Sequence, residues 1–219
     1  MQDTKETKAK TKCSKCCKCT KTKETGTKGA NTKETGTKNV YSITITLVDS
    51  KPKIWRRVEI SCDSTFFDLH HVIQQVMPWE DFHLHCFTIK TKGGDKIRIS
   101  DPFIGEDSYE DITSEEEALL FKYLPDAKSI VYEYDFGDSW EHEIKVDKIV
   151  PAKDGVLYPR CTGGEMACPP EDCGGICAYY EMLEILNGED CEDKVEMLEW
   201  LGGGFDPNKF DINDVKILK

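Results

Sequence analysis

Between Val40 and Leu47 apolar and polar side chains alternate, with Tyr41, Ile43, Ile45 and Leu47 on one parity and Ser42, Thr44 and Thr46 on the other. Successive side chains of an extended chain point to opposite faces, so this pattern predicts a half-buried strand. Asp49, Ser50, Lys51 and Pro52 carry turn chemistry. Ile54, Val58 and Ile60 then alternate with Trp55, Arg57 and Glu59, which predicts an N-terminal hairpin. At Phe66 the period changes. Phe66, Leu69, Ile73 and Val76 recur at helical spacing, Thr65 and Asp68 have the spacing of a capping box, and Pro78 ends the run. Further strands are expected near 85–90 and 96–99, and a short helix over 115–123 capped by Ser114. Strand, strand, helix, strand, strand is the order of a β-grasp-like unit, an analogy of order only.

A longer hairpin is expected over 130–150. Ile130, Tyr132, Tyr134 and Phe136 share one face of its first strand, and Trp140, His142, Ile144 and Val146 share one face of its second. Opposed residues must lie on the same face. A three-residue loop of Gly137, Asp138 and Ser139 satisfies this by pairing Phe136 with Trp140 and Tyr134 with His142. That register sets Asp135 against Glu141 and Glu133 against Glu143. Like charges so opposed call for a cation, a basic partner, or Arg56 and Arg57 from another strand.

A Gly/Pro/Cys-rich loop over 161–175 precedes two helices. One is lined by Ile176, Tyr179, Leu183 and Leu186 and ended by Asn187 and Gly188; the other runs over 192–201 and stops at three glycines. Residues 207–218 are expected as a short helix or an edge segment. The sum is an α+β fold: a mixed or antiparallel sheet with an N-terminal hairpin, one packed helix, a central long hairpin and C-terminal helices.

Composition separates the first 39 residues from this domain. They hold 11 Lys against 4 acidic residues, contain no Leu, Ile or Phe, and repeat TKETGTK at 22–28 and 32–38. Such a segment cannot bury enough apolar surface to offset the entropy of ordering, so a disordered Lys/Thr-rich tail is expected over 1–39 and the folded domain over 40–219. The remaining residues hold 18 basic against 37 acidic side chains. A domain that acidic does not attract a polyphosphate backbone through its average field. Contact with nucleic acid or an anionic surface would fall to the tail, where interleaved lysines make it weak and screened by salt. No apolar run reaches the roughly 18 residues of a membrane span. The first residues lack the apolar stretch of a secretory signal, so an intracellular, cytoplasmic or nuclear setting is expected, with reduced thiols or metal thiolates in place of a disulfide framework.

Five stretches carry a family likeness: KIWRR at 53–57, HLHCF at 83–87, YEYDFGDSWEHEI at 132–144, CTGGEMACPPEDCGG at 161–175 and WLGGGFDPNKF at 200–210. In this order they resemble the plasmid pRiA4b ORF-3-like family across nearly all of 40–219. The resemblance implies an α+β domain found in proteins linked to plasmids and insertion elements. Some members are labelled resolvase-like, and the residues here give that label no chemical support. Cys177 departs from the family pattern.

Four constellations could carry chemistry. His83 and His85, two apart on an expected strand, would share a face about 7 Å apart, and with His142 could bind a metal if their strands are neighbours. The bland alternative makes His142 a hydrogen-bonded core histidine. Cys161, Cys168 and Cys173, with His142, form a mixed zinc candidate; Cys177 would complete a four-cysteine set, but the Cys-x2-Cys spacing of structural zinc sites is absent. The alternative is a loop ordered by Pro169 and Pro170 with buried free thiols. Cys13, Cys16, Cys17 and Cys19 in the tail could chelate a soft ion, or be tolerated passengers of a repeat. Glu171 and Asp172 could act as an acid–base pair but are better placed to cap the helix that follows. With His83, His85, Asp135, Asp138, Trp140, Glu141 and Glu143 they make up a candidate binding surface.

Phosphate-loop, dinucleotide, nucleophile-elbow and zinc-protease signatures are missing. The pattern favours a non-enzymatic interaction module, possible zinc included, that binds an unidentified protein partner. The competing class is a metal-dependent hydrolase or nucleic-acid-modifying enzyme using His142, Asp138 or a bound ion.

Overall fold

The structure is a computed structural model that describes residues 39–105 and 112–217. The lysine-rich segment with its repeats and its cysteine cluster lies outside the described residues.

Strand β1 (Asn39–Leu47) pairs antiparallel with β2 (Trp55–Ser61), Tyr41 facing Ile60 and Ile43 facing Val58. Ser50 closes the turn with its side chain, donating to the Leu47 carbonyl at 2.7 Å and accepting from the Ile54 N–H at 2.9 Å. Helix α1 (Phe66–Val76) has both halves of the expected capping box: Asp68 N–H donates to Thr65 Oγ1 at 3.1 Å, and Thr65 N–H to Asp68 Oδ2 at 2.8 Å. Two free donors of the first turn are thus satisfied locally. Its stripe of Phe66, Leu69, Val72, Ile73 and Val76 is buried, and so are two polar members of the same helix, His70 and Gln74.

Next come β3 (His85–Thr91), β4 (Lys96–Ser100) and β5 (Ile112–Ser114), which runs parallel to β4. The helix expected over 115–123 shrinks to α2 (Leu120–Tyr123), and Ser114 ends β5 where a cap was expected. Tertiary partners outbid the local helix. Phe66 N–H donates to the Ala118 carbonyl, Leu120 N–H donates to the Ser64 carbonyl, and the Glu115 side chain is drawn inward to His85.

Strands β6 (Ala127–Tyr134) and β7 (Trp140–Pro151) form the central hairpin. Tyr134 faces Trp140, Tyr132 faces His142, Glu133 faces Glu141 and Val131 faces Glu143. The faces are as expected but the pairs are displaced by two residues. The loop runs over 135–139, and Phe136 lies in it. Asp135 leaves the strand at φ 55°, its Oδ1 accepts from Gly137 N–H at 2.9 Å, and its carbonyl accepts from Ser139 N–H at 2.6 Å. An aspartate that turns the backbone through its own carboxylate stops the ladder two residues early.

The expected loop over 161–175 begins as a strand, β8 (Arg160–Glu165), antiparallel to β2. Its glycines hid it, because a strand without side chains shows no alternation. Gly164 is needed for close approach: a Cβ there would stand 2.7 Å from the Phe210 ring. Among the described residues the sheet has eight strands in the order β5-β4-β3-β6-β7-β1-β2-β8. The central hairpin stands between β1 and β3, so the β-grasp analogy stops at strand order.

Helices α3 (Gly175–Asn187) and α4 (Glu192–Trp200) follow, α3 burying Tyr179 and Met182. Residues 207–217 form neither helix nor strand. Asp206 and Asp211 each accept from the backbone N–H two residues on, at 3.0 and 2.8 Å, and make turns. One hydrophobic core takes in Ile43, Phe66, Tyr132, Tyr134, Trp140, Cys168 and Tyr179, so the central hairpin and the Cys/Pro loop belong to a single body. No helix of the described residues is long and apolar enough to cross a membrane.

Candidate functional site

The residues between α1 and β3 join two clusters of histidine and carboxylate. The inner one begins on the buried stripe of α1. His70 stacks face to face on His85 of β3, ring centroids 3.5 Å apart and planes 4° from parallel. His70 Nδ1 meets the Tyr132 hydroxyl at 2.8 Å and Nε2 meets Asp81 Oδ1 at 2.9 Å; Gln74 Nε2 donates to the same hydroxyl at 2.9 Å. His85 Nε2 meets Glu115 Oε2 at 2.6 Å. Burial, followed by the neighbouring rings of His85 and His71, drives the pKa of His70 down to about 2. The ring is therefore neutral, with one nitrogen donating and one accepting. A single direction satisfies it: Gln74 donates to Tyr132, Tyr132 to Nδ1, and Nε2–H to Asp81. Burial also raises the Tyr132 phenol well above its usual range and raises Asp81.

The donor atoms of His70, Asp81 and His85 lie within 4.8 Å of one another. A bound ion lies near the plane of the imidazole that ligates it, so two parallel stacked rings cannot both aim at one ion. This cluster is a hydrogen-bonded scaffold in which Gln74 Oε1 is left without a partner.

The outer cluster surrounds His83, which precedes β3. Its Nε2 lies 2.8 Å from Asp172 Oδ1 and 4.0 Å from Glu171 Oε1, and its Nδ1 lies 3.7 Å from Asp135 Oδ2. Tyr134 donates a short hydrogen bond to Glu171, whose other oxygen accepts from Glu80 N–H at 2.7 Å. Burial, then Glu171, pushes the Tyr134 phenol up. Trp79 stacks on Tyr134 with centroids 5.0 Å apart and donates from Nε1 to the Pro169 carbonyl at 3.0 Å. The hairpin loop is pinned to the same place: Asp135 N–H donates to the Leu84 carbonyl at 2.9 Å, and Asp138 Oδ2 accepts from Gly174 N–H at 2.9 Å. Gly175 sits at φ 80°, and a Cβ there would stand 2.5 Å from the Asp138 carbonyl oxygen, so only glycine fits. In the segments that carry these residues Phe82 is 75% exposed and Phe136 40%, and Leu84 is exposed as well.

Several expected groupings are rearranged. His83 does not lie on the expected strand: the chain enters β3 only at His85, which bonds to Glu115 while His83 stays among the outer carboxylates. His142 is a core residue, its Nδ1 donating to the Trp140 carbonyl at 3.0 Å, and burial lowers its pKa to about 4. Trp140 is buried beside it. Among the described residues, neither set of three or more donors within 4.8 Å contains a cysteine or His142. Cys161, Cys168, Cys173 and Cys177 are free thiols, of which Cys177 is exposed. Burial pushes the pKa of Cys173 up to about 12, that of Cys168 further, and raises Cys161. Glu171 and Asp172 do not cap α3, whose N-cap is Gly174 with no side-chain bond; they serve the recess, and Asp138 takes the N–H expected for them. Glu141 and Glu143 are exposed on the outer hairpin face without the expected arginines. Arg56 is buried and donates to the carbonyls of Val76, Trp55 and Glu165, and Arg57 lies 3.4 Å from Asp147.

The residues that sequence reasoning missed are His70, Gln74, Asp81 and Glu115. A polar pair four apart beside the apolar stripe of α1 was the available signal for the first two. Asp81 and Glu115 lie in irregular segments with no periodicity to place them.

The family model described as plasmid pRiA4b ORF-3-like protein matches residues 39–214. An uncharacterized protein, y4hQ, from Sinorhizobium fredii (strain NBRC 101917 / NGR234) is 35% identical over 167 residues, covering 75% of this chain and 81% of its own length. The crystal structure of a protein of unknown function, MM3350, from Methanosarcina mazei Go1 superposes with a TM-score of 0.75 at 41% identity, covering 82% of this chain and 97% of that one.

Proposed function

We propose, for a chain that belongs to the plasmid pRiA4b ORF-3-like family, a role as a non-enzymatic interaction module that docks a basic protein segment carrying an apolar anchor. The observation that carries this reading is the tip of the central hairpin. Glu133 and Glu141 are directly opposed, Glu143 extends the same outer face, Phe136 is exposed in the loop, and Phe82 and Leu84 are exposed in the segment before β3, whose Leu84 carbonyl accepts from Asp135 N–H. Opposed like charges destabilise a sheet. A lysine- or arginine-bearing partner would relieve that repulsion while Phe82, Leu84 and Phe136 bury apolar surface, and exposed apolar side chains framed by charge mark interaction surfaces. The domain's excess of acidic residues adds long-range attraction for such a partner.

Selection of the full-length protein against a displayed random peptide library, with a chelator in the buffer, tests this. The expected outcome is enrichment of peptides combining Lys or Arg with a large apolar residue. Binding of the enriched peptides should fall about tenfold for Phe136→Ala or for the Glu141→Lys/Glu143→Lys pair, about 1.4 kcal/mol. Enrichment indifferent to both changes would remove the proposal.

A further inference from the structure

The geometry points to a divalent metal site in the His83 recess, with His83, Asp172 and Asp135 as ligands and Glu171 beside them; it goes beyond the partner reading and stands without it. Donor atoms of His83, Asp135 and Asp172 lie mutually within 4.8 Å. His83 Nε2 is a buried atom with no hydrogen bond, although Asp172 Oδ1 is 2.8 Å away. A nitrogen that close to a carboxylate oxygen, with no hydrogen bond between them, is left unsatisfied by its nearest polar neighbour. Two donors each about 2.1 Å from one ion and at right angles to each other stand about 3.0 Å apart, so the observed separation suits neighbouring ligands. This recess has no stacked ring to forbid convergence.

The surroundings agree. Asp135 and Glu171 are only 13% and 14% exposed, while Asp172 is 64% exposed, so two carboxylates are held in place and the third faces solvent on the side where an ion would enter. Burying acidic groups together without a counter-charge is costly, and a divalent cation offsets it. Glu171 is fixed by Tyr134 and the Glu80 N–H, the kind of outer support that orients groups at a metal site. One imidazole with oxygen donors suits a first-row ion of the manganese or zinc type.

The test uses the full-length protein, stripped by chelation and titrated with manganese(II) chloride, followed by electron paramagnetic resonance. Manganese prefers oxygen and nitrogen to thiolate, which keeps the 11 cysteines out of the count. The expected result is one ion per chain with nitrogen coupling from a single imidazole. That coupling should vanish in His83→Gln. Asp172→Asn and Asp135→Asn should each weaken binding at least about tenfold, the scale that even outer-shell changes produce. Both positions have positive φ, 60° and 55°, which asparagine also adopts, so the loops survive the exchange. Asp81→Asn, in the inner cluster, should leave binding unchanged. No ion held at millimolar manganese, binding unaltered in the Asp135→Asn/Asp172→Asn double variant, or binding lost only in Asp81→Asn would overturn the site.

Discussion

The inner and outer histidine clusters are made of the same parts and come to opposite conditions. His83 and His85 are two residues apart, yet His85 closes onto Glu115 while His83 is left with a nitrogen that bonds to nothing. Inside, His70, Tyr132, Gln74 and Asp81 form a chain in which each donor on the path finds an acceptor, although Gln74 Oε1 is left without a partner. At the rim, carboxylates gather around one imidazole without hydrogen-bond angles. A satisfied buried network specifies a fold, whereas groups gathered and left unsatisfied at a surface recess are placed for something that arrives from outside. Histidine among acids is therefore no indication of a site by itself. What discriminates is whether an unused nitrogen has carboxylates gathered around it: among the described residues His83 Nε2 has them, and His142 Nε2, equally unused, does not.

The largest test of this contrast is acid. His70 and His142 have folded pKa values of about 2 and about 4, below the roughly 6.5 of an unfolded histidine. Between these values and about 6.5 the unfolded chain binds more protons, so stability rises with pH and is lost as pH falls through that window. Each group contributes up to about 1.4 kcal/mol per pH unit, or about 3 kcal/mol for the two together between pH 6.5 and 5. Asp81, whose carboxyl is raised, works in the opposite sense and trims the loss. Urea unfolding at a series of pH values should show this slope, and His142→Asn should remove about half of it. A flat profile from pH 7 to 5 would mean that the two imidazoles are not held neutral.

Next in size is Tyr132→Phe. It takes the hydroxyl from between His70 Nδ1 and Gln74 Nε2 and leaves two buried polar atoms without a partner, at a cost of about 2 kcal/mol. The readout is the urea midpoint at neutral pH, with an unchanged slope against denaturant showing that the fold persists. Manganese binding should be untouched, since the scaffold is separate from the recess.

Much of this framework was legible in the chain. Thr65 and Asp68 announced the start of α1, the alternation of Tyr41 to Leu47 announced β1, and the shared parity of Tyr134 and His142 put them on one face. Each of these signals is local and periodic. What escaped depended on partners distant in sequence. Gly163 and Gly164 joined a strand because Trp55 and Phe210 cover them, and the segment from Glu115 to Leu119 gave up helix for bonds from Phe66 and Phe67. The hairpin register failed by two residues because Asp135 spent its carboxylate on the loop, which a count of faces cannot detect. Of the residues proposed for a binding surface, His83, Asp135, Glu171 and Asp172 lie together. His70 and Asp81 were missed because a buried polar pair on a helix is indistinguishable in sequence from an exposed one until the opposite wall of the core is known.

The smallest expected change is also the one that separates the two clusters most sharply. Asp172 is 64% exposed and its contact with His83 Nε2 is not a hydrogen bond, so Asp172→Asn should shift stability by less than about 0.5 kcal/mol, as exposed ion pairs do. Thermal melts of wild type and variant in chelator should therefore nearly coincide. With manganese present the wild-type midpoint should rise by mass action while the variant's stays where it was. A large loss of stability in chelator would mean that the His83–Asp172 contact holds the fold together as the inner pair does, and the distinction between scaffold and recess would collapse.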